Sequence, residues 1–384
     1  MSRSPNASPS LSPNLGPSLA QRLISGDRPG SAALATLLLL VPAGLALTPF
    51  LFAGARPLDT AARIAIFIVL VASYDILIGY TGIVSFAHTM FFALGAYGVA
   101  LALTSLGPSF AAIGLGLLLG GLAAALVGVL LGLFLLRVRA IFFSMVTLAV
   151  ASAFAVLVSQ LSFLTGGEDG LSYAVPRVLT PAFRLVDGTV LGARIDGRLI
   201  AYYAVLVIAL ISFLMMLRIV NSPFGRVLKA IRENGFRAEA IGYEVARYRM
   251  LANIVAAIFA ALSGALIAIW LKYTGPATTL SLEIMTDVLL MVVVGGMGTL
   301  YGAVIGVAVF TLMQNYLQDL MRLVSTTDVK VPVVTELLSP DRWLFWLGVL
   351  FVASVYFFPS GIVGSLRAWP RRDRGRPRFQ ADRD

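Results

Sequence analysis

The chain is 384 residues long, 59% hydrophobic and only 12% charged, with a mean hydropathy of +0.90; soluble domains carry roughly 25% charged residues, so this is an integral membrane protein. The absence of cysteine excludes disulfides, thiolate metal sites and thiol nucleophiles, and with a single histidine no metal or other cofactor is expected. A net charge of +10 does not point to nucleic acid, because the positive residues follow the loops of one membrane face.

Residues 1–30 are rich in Ser, Pro, Gly and Asn, lack apolar periodicity, and read as a disordered cytoplasmic tail. The apolar run 31–53 is too long for a signal-peptide core and has no clean small-residue cleavage site, so it reads as an uncleaved span. Crossing the hydrocarbon takes about 20 apolar residues. On that basis the chain is all-α with ten transmembrane helices: 31–53, 60–78, 85–104, 109–136, 141–163, 199–217, 250–271, a short one at 286–297, 301–318 and 342–358. With the N-terminus inside, the inner segments hold 19 Lys/Arg against seven acids, and the outer ones ten against eleven. That asymmetry predicts an N-in, C-in arrangement. A transmembrane domain then covers 31–364, with a periplasmic loop at 165–198 and a basic cytoplasmic tail at 365–384. The outer segments 166–198 and 318–342 have room for short amphipathic structure. Arg137 and Arg139 read as anchors at a helix end.

Two Gly-rich joints interrupt the apolar sequence, GYTGIVSFAHTMFFALGAY from Gly79 to Tyr97 and VVVGGMGTLYGAVIGV from Val292 to Val307. They read as broken helices or as tight turns at the membrane surface. A broken helix frees backbone groups that can line a polar path. The substrate path is accordingly expected at Gly79, Tyr80, Thr81, Gly82, Ser85 and His88 in the first joint and at Gly295, Gly296 and Gly298 in the second. Asp75, an intramembrane carboxylate, is a candidate by its position. The plain alternatives are close helix packing for the glycines, a hydrogen-bonded packing role for His88, and an interfacial position for Asp75. By the span count both joints open to the same side.

Between the sixth and seventh spans lies a basic cassette, Asn221–Met250, with Arg218 just ahead of it. Its Arg and Lys residues cost roughly 2.5–3.5 kcal/mol each at a bilayer centre, so it is cytoplasmic (218–249). Ser222 is placed as an N-cap and Pro223 as the first helical residue. Phe224, Val227, Leu228 and Ile231 form one apolar stripe, with Arg226, Lys229 and Glu233 off it. Gly235 is placed to end this helix, and a second short helix follows at 236–241, ending at Gly242. Two capped helices in tandem predict docking of the stripe into a partner's cleft; the alternative is a helix lying on anionic lipid. No GxxxxGK[ST] loop surrounds any of the three lysines, Lys229, Lys272 and Lys330. Nor does a catalytic triad or carboxylate pair stand out, so the chain is not expected to be an enzyme.

The stretches LIGYTGIVSFAHTMFFALGAY, LRVRAIFFSMVTLA, SPFGRVLKAIRENGFRAEAIGYEVARYR and LLMVVVGGMGTLYGAVIGV occur in one order over about residues 60–360. In them the chain resembles the LivM-type permease of branched-chain amino acid ABC importers. Ala238-Glu239-Ala240 followed by Gly242 looks like a shortened importer EAA loop. The resemblance implies a bacterial inner-membrane permease with a LivH-type second permease subunit, two cytoplasmic ATP-binding subunits and a periplasmic substrate-binding protein. It also implies ATPase coupling through the cassette, at Phe224, Arg226, Leu228, Ile231, Arg232, Glu233, Glu239 and Gly242. Asp75 stands where the family usually has Asn, and Ala87 and Thr89 where it more often has Gly and Ala. Relatives that move urea or short amides keep those substrates as an alternative. A stand-alone secondary transporter using Asp75 and His88 as a proton relay is the rival from another class, and a membrane scaffold is a third reading.

Overall fold

The computed structural model describes residues 32–52, 54–135, 140–190, 193–325, 342–358 and 360–368. The expectations for residues 1–30, for Arg137 and Arg139, and for most of 318–342 and of the basic tail lie outside the described residues. The helices are α1 (Ala32–Leu51), α2 (Ala55–Thr81), α3 (His88–Leu106), α4 (Phe110–Leu135), α5 (Ala140–Gln160), α6 (Ser162–Thr165), α7 (Gly197–Val220), α8 (Pro223–Glu233), α9 (Gly235–Ala240), α10 (Val245–Leu271), α11 (Pro276–Thr279), α12 (Leu282–Gly295), α13 (Leu300–Ser325), α14 (Trp343–Phe357) and α15 (Gly361–Ala368). Among the described residues, nine helical segments are long and apolar enough to cross a membrane; Thr36–Leu51 is apolar but shorter. The short eighth span reaches sufficient length because α11 and α12 together run Pro276–Gly295. Residues 365–368, expected at the start of a tail, belong to α15, whose Val363 is fully buried beside Ile305 of α13.

Lipid removes the hydrophobic drive that packs helices in water, so contact here relies on small residues and interhelical hydrogen bonds. Helices α2, α3 and α10 are mostly buried, whereas α4, α5 and α14 present largely exposed apolar faces, as lipid-facing helices do. The α3–α10 contact is backbone on backbone: a Cβ at Gly264 would run into the Phe92 carbonyl, and one at Gly95 into Ala261. Ser263 Oγ donates to the Ile66 carbonyl at 2.9 Å, tying α10 to α2, and Asn253 Nδ2 donates to the Gly128 carbonyl at 2.8 Å, tying it to α4. Tyr203 Oη donates to the Ala46 carbonyl at 2.8 Å, and its neighbour Tyr202 does the same to Leu45, fixing α1 on α7.

The loop after α6, long enough for short regular structure, takes strand form. Strands β1 (Leu171–Ser172), β2 (Arg184–Val190), β3 (Ala193–Asp196) and β4 (Tyr273–Thr274) make two antiparallel pairs, β1 with β4 and β2 with β3. The first pair clamps the loop to the end of α10, where Tyr173 Oη donates to the Ala268 carbonyl at 3.0 Å. Burial raises the Tyr173 phenol well above its ordinary value, so it stays a donor. Asp196 then caps α7, its carboxylate accepting from the Leu199 N–H at 3.0 Å.

The backbone contact at Gly264 yields a direct expectation. Gly264→Val should destabilise the protein by roughly 1–3 kcal/mol or more, because no flexible side chain can yield to the added methyls. A thermal unfolding scan of the purified protein reads this as a lowered midpoint; an unchanged midpoint would show that α3 and α10 can separate without loss.

Candidate functional site

The Gly-rich joints are turns between separate helices. Helix α2 ends at Gly82, whose φ of 73° is left-handed and whose N–H closes on the Leu77 carbonyl. Thr81 Oγ1 donates to the same carbonyl at 2.7 Å. The connector 82–87 is held against α5: Ser144 Oγ donates to the Val84 carbonyl at 2.8 Å and the Phe86 N–H donates to Thr147 Oγ1 at 3.0 Å. Helix α12 ends at Gly295, and α13 begins at Leu300 after a turn in which the Gly302 N–H donates to the Thr299 carbonyl at 2.7 Å.

The two joints meet. Asp75 and Gly79 lie one turn apart on the same face of α2, and together they form a notch that receives Gly298. Asp75 is 1% exposed, and its Oδ1 accepts the Gly298 N–H at 2.8 Å. A Cβ at Gly79 would collide with the Asp75 carboxylate and with the Gly298 nitrogen. Gly298 has a φ of 83°, and a Cβ on it would come 2.8 Å from the Gly79 carbonyl oxygen and strike Arg232, so only glycine fits the notch.

The cassette reaches into this junction. Arg232 of α8 donates from its guanidinium to the Gly79 carbonyl, and its Cγ lies 3.5 Å from where a Cβ of Gly82 would sit. One turn earlier, Lys229 Nζ lies 5.2 Å from the Tyr80 ring centroid. The arrangement is a latch in which one basic helix grips the ends of α2 and the α12–α13 turn.

Several expected residues are placed differently. Phe224, Leu228 and Ile231, expected to dock in a partner, face the chain's own helices. Leu228 is 0% and Ile231 1% exposed; Ile231 packs with Ala238 and Val245, and Phe224 stacks on Tyr248 at 5.8 Å. The stripe is apolar because it glues the cassette to the spans. The exposed side of the cassette carries Arg226, Glu233, Glu239 and Gly242. It also carries two apolar residues that periodicity did not single out, Phe236 at 83% and Ile241 at 68% exposed. Asn234, not Gly235, divides the two helices. It ends α8 and caps α9, its Oδ1 accepting from the Arg237 N–H at 2.9 Å. Ser222 occupies the N-cap position of α8, but its hydroxyl donates back to the Ile219 carbonyl at 2.6 Å.

His88 and Ser85 make their contacts away from the latch. His88 Nε2 pairs with Ser73 Oγ at 2.8 Å, and its ring sits between Tyr74 and Phe91. Ser85 Oγ accepts from the Ala87 N–H at 3.4 Å. Gly295 and Gly296 serve packing, against Gly302 of α13 and against Ser360 and Gly361 ahead of and in α15. The inward reach of Arg232 was not read from the sequence. The four-residue spacing of Asp75 and Gly79 did carry the signal for a notch.

A family described as the branched-chain amino acid transport system / permease component matches residues 56–355. The high-affinity branched-chain amino acid transport system permease protein LivM of Salmonella typhimurium is 27% identical over 274 residues, which cover 68% of this chain and 63% of the relative. Its Escherichia coli K12 counterpart is 27% identical over 273 residues with the same shares. A probable LivM of Methanocaldococcus jannaschii is 27% identical over 163 residues, 42% of this chain and 45% of that one. The chain thus matches less than two thirds of the length of the first two relatives. No solved structure gives a significant match.

Loss of the Arg232 bond should loosen the cassette. A charged hydrogen bond contributes about 1.5–3 kcal/mol, so Arg232→Leu should speed hydrogen–deuterium exchange of the 223–240 amides about tenfold or more. Unchanged exchange in that segment would mean that the apolar stripe alone holds it.

Proposed function

The chain belongs to the branched-chain amino acid transport permease family, and we propose that it is a transmembrane permease subunit of an ATP-driven importer for branched-chain or related amino acids. In this reading it sits in the bacterial inner membrane and forms the translocation path with a LivH-type second permease. Two ATP-binding subunits dock on the cytoplasmic side and a periplasmic binding protein delivers substrate. ATP hydrolysis belongs to the partners, and this chain is not itself an enzyme.

The observation that carries the reading is the grip of Arg232 on the Gly79 carbonyl, beside Gly298. A helix that would be cytoplasmic touches both joints at once, so a displacement of α8 acts on the ends of three spans together. The partner-facing part of the cassette is then its exposed side, where Phe236 and Ile241 offer apolar anchors. Substrate moves because ATP-bound and ATP-free partner states stabilise different arrangements of the latch, which is differential binding between two states. No titrating side chain is required.

Co-purification with the neighbouring subunits and uptake of labelled leucine into vesicles tests the reading. Uptake should require ATP, and His88→Gln should retain most of it. Uptake driven by a proton gradient alone, or lost in His88→Gln despite full assembly, would replace this reading with the proton-relay transporter. Uptake of labelled urea in place of leucine would move the substrate to short amides.

The two faces of the cassette are separable. Phe236→Asp should leave the permease assembled and abolish the stimulation of ATP hydrolysis by substrate-loaded binding protein. Leu228→Asp should fail to accumulate, because an unpaired carboxylate at a fully buried site costs several kcal/mol. Coupled hydrolysis in Phe236→Asp would remove the exposed face from the interface.

A further inference from the structure

At the end of α2 opposite the latch lies an open-mouthed cavity of about 260 Å³, lined by α2, α10, α11, α12 and α13. Arg63 on α2 and Gly79 are 16 residues apart, so about 24 Å of helix separates the cavity from the latch. Its lining combines both signs of charge with apolar walls, unlike the two apolar grooves between α13 and α14 and between α1 and α2.

Helix α12 supplies an acidic ladder down one face. Glu283 stands exposed at the mouth, Asp287 half-buried one turn deeper, and Met291 buried at the floor. From α13, Gln314 Nε2 donates to Asp287 Oδ2 at 3.3 Å. Thr311 lies a turn further in; it is only 5% exposed, and its hydroxyl has no hydrogen-bond partner among the described residues. A polar ligand in the cavity can give this buried hydroxyl a partner.

Across from the acids, Arg63 is held in a fixed orientation. Its Nε donates to Asp59 Oδ2 at 2.9 Å, and Asp59 Oδ1 in turn accepts from Trp270 Nε1 at 2.8 Å. That use of Nε leaves the Nη edge of the guanidinium for a carboxylate, the geometry in which arginine is most selective. Phe67, Ile267 and Ile284 form the apolar wall. Below Met291 the space closes, because Gly306 lets α13 press on α12: a Cβ there would strike the Met291 carbonyl and lie 3.0 Å from the Gly295 nitrogen.

We propose that this cavity binds the zwitterion of a small apolar amino acid, with its ammonium on Asp287 and Glu283, its carboxylate on Arg63 and its side chain against Phe67, Ile267 and Ile284. It is the entry station of the path, closed toward the latch by the α12–α13 contact. The inference rests on the import reading and names the substrate class that the site accepts. A neutral amide of the same shape offers no ammonium to the carboxylates and no carboxylate to the guanidinium, and is disfavoured.

The chain has no cysteine, so a single Asn315→Cys at the cavity wall reports occupancy by its rate of alkylation in the assembled complex. L-Leucine should slow alkylation severalfold and isovaleramide at equal concentration should not. Adding Asp287→Asn, which can keep the Gln314 contact, should raise the leucine concentration for half-protection about tenfold, the loss of one charged hydrogen bond. Glu283→Gln, at the exposed mouth, serves the same purpose if Asp287→Asn does not assemble. No protection by leucine, equal protection by isovaleramide, or protection indifferent to both carboxylates would overturn the proposal. Because alkylation needs no turnover, that failure with ATP-driven leucine uptake intact removes the cavity alone. Protection without uptake removes the import reading instead.

Discussion

A helix that ends within or against a bilayer has backbone groups that no lipid can satisfy, and this constraint governs the architecture of the protein. The ends of α2 and α12 meet it with each other's atoms. Gly298 gives its N–H to Asp75, the Gly79 carbonyl is taken by Arg232, and the Gly82 N–H closes on Leu77. Each solution requires close approach, which is why glycine occupies the notch and the turn. The buried carboxylate gains one partner in the Gly298 N–H, which is bonded to its Oδ1.

That solution joins elements of different character. Helix α8 is basic and amphipathic, and on its own it would lie at an interface. Its apolar residues instead complete the core at the end of the bundle, with Leu228 fully buried, and Arg232 extends past them to the joints. The cassette is therefore part of the permease body on one side and an open surface on the other.

Helix α2 is the axis of these relations. Its faces touch α1, α7, α10, α12 and α13, and its two ends bear the charged features: Asp59 and Arg63 at one, Asp75 at the other. Around it, packing follows small residues. Gly95 and Gly264 bring α3 and α10 to backbone contact, while the more hydrophobic α4, α5 and α14 remain at the periphery. In lipid, a leucine-rich face gains nothing by being buried, so hydrophobicity alone does not mark the core.

The sequence by itself determined that the chain spans a membrane, where most spans run, that the cassette is two short helices, and which family it belongs to. These follow from local properties: runs of about 20 apolar residues, the cost of moving Arg and Lys into lipid, and the order of four motifs. It also marked Asp75, Gly79, Arg232 and Gly298 as candidates. Only the tertiary structure decided that these four meet, because 223 residues separate Asp75 from Gly298 and 153 separate Gly79 from Arg232, and no local pattern encodes such contacts. The same holds for the direction of the apolar stripe. Periodicity shows that Leu228 and Ile231 share a face, but whether that face meets a partner or the chain's own spans depends on what the fold places beside it.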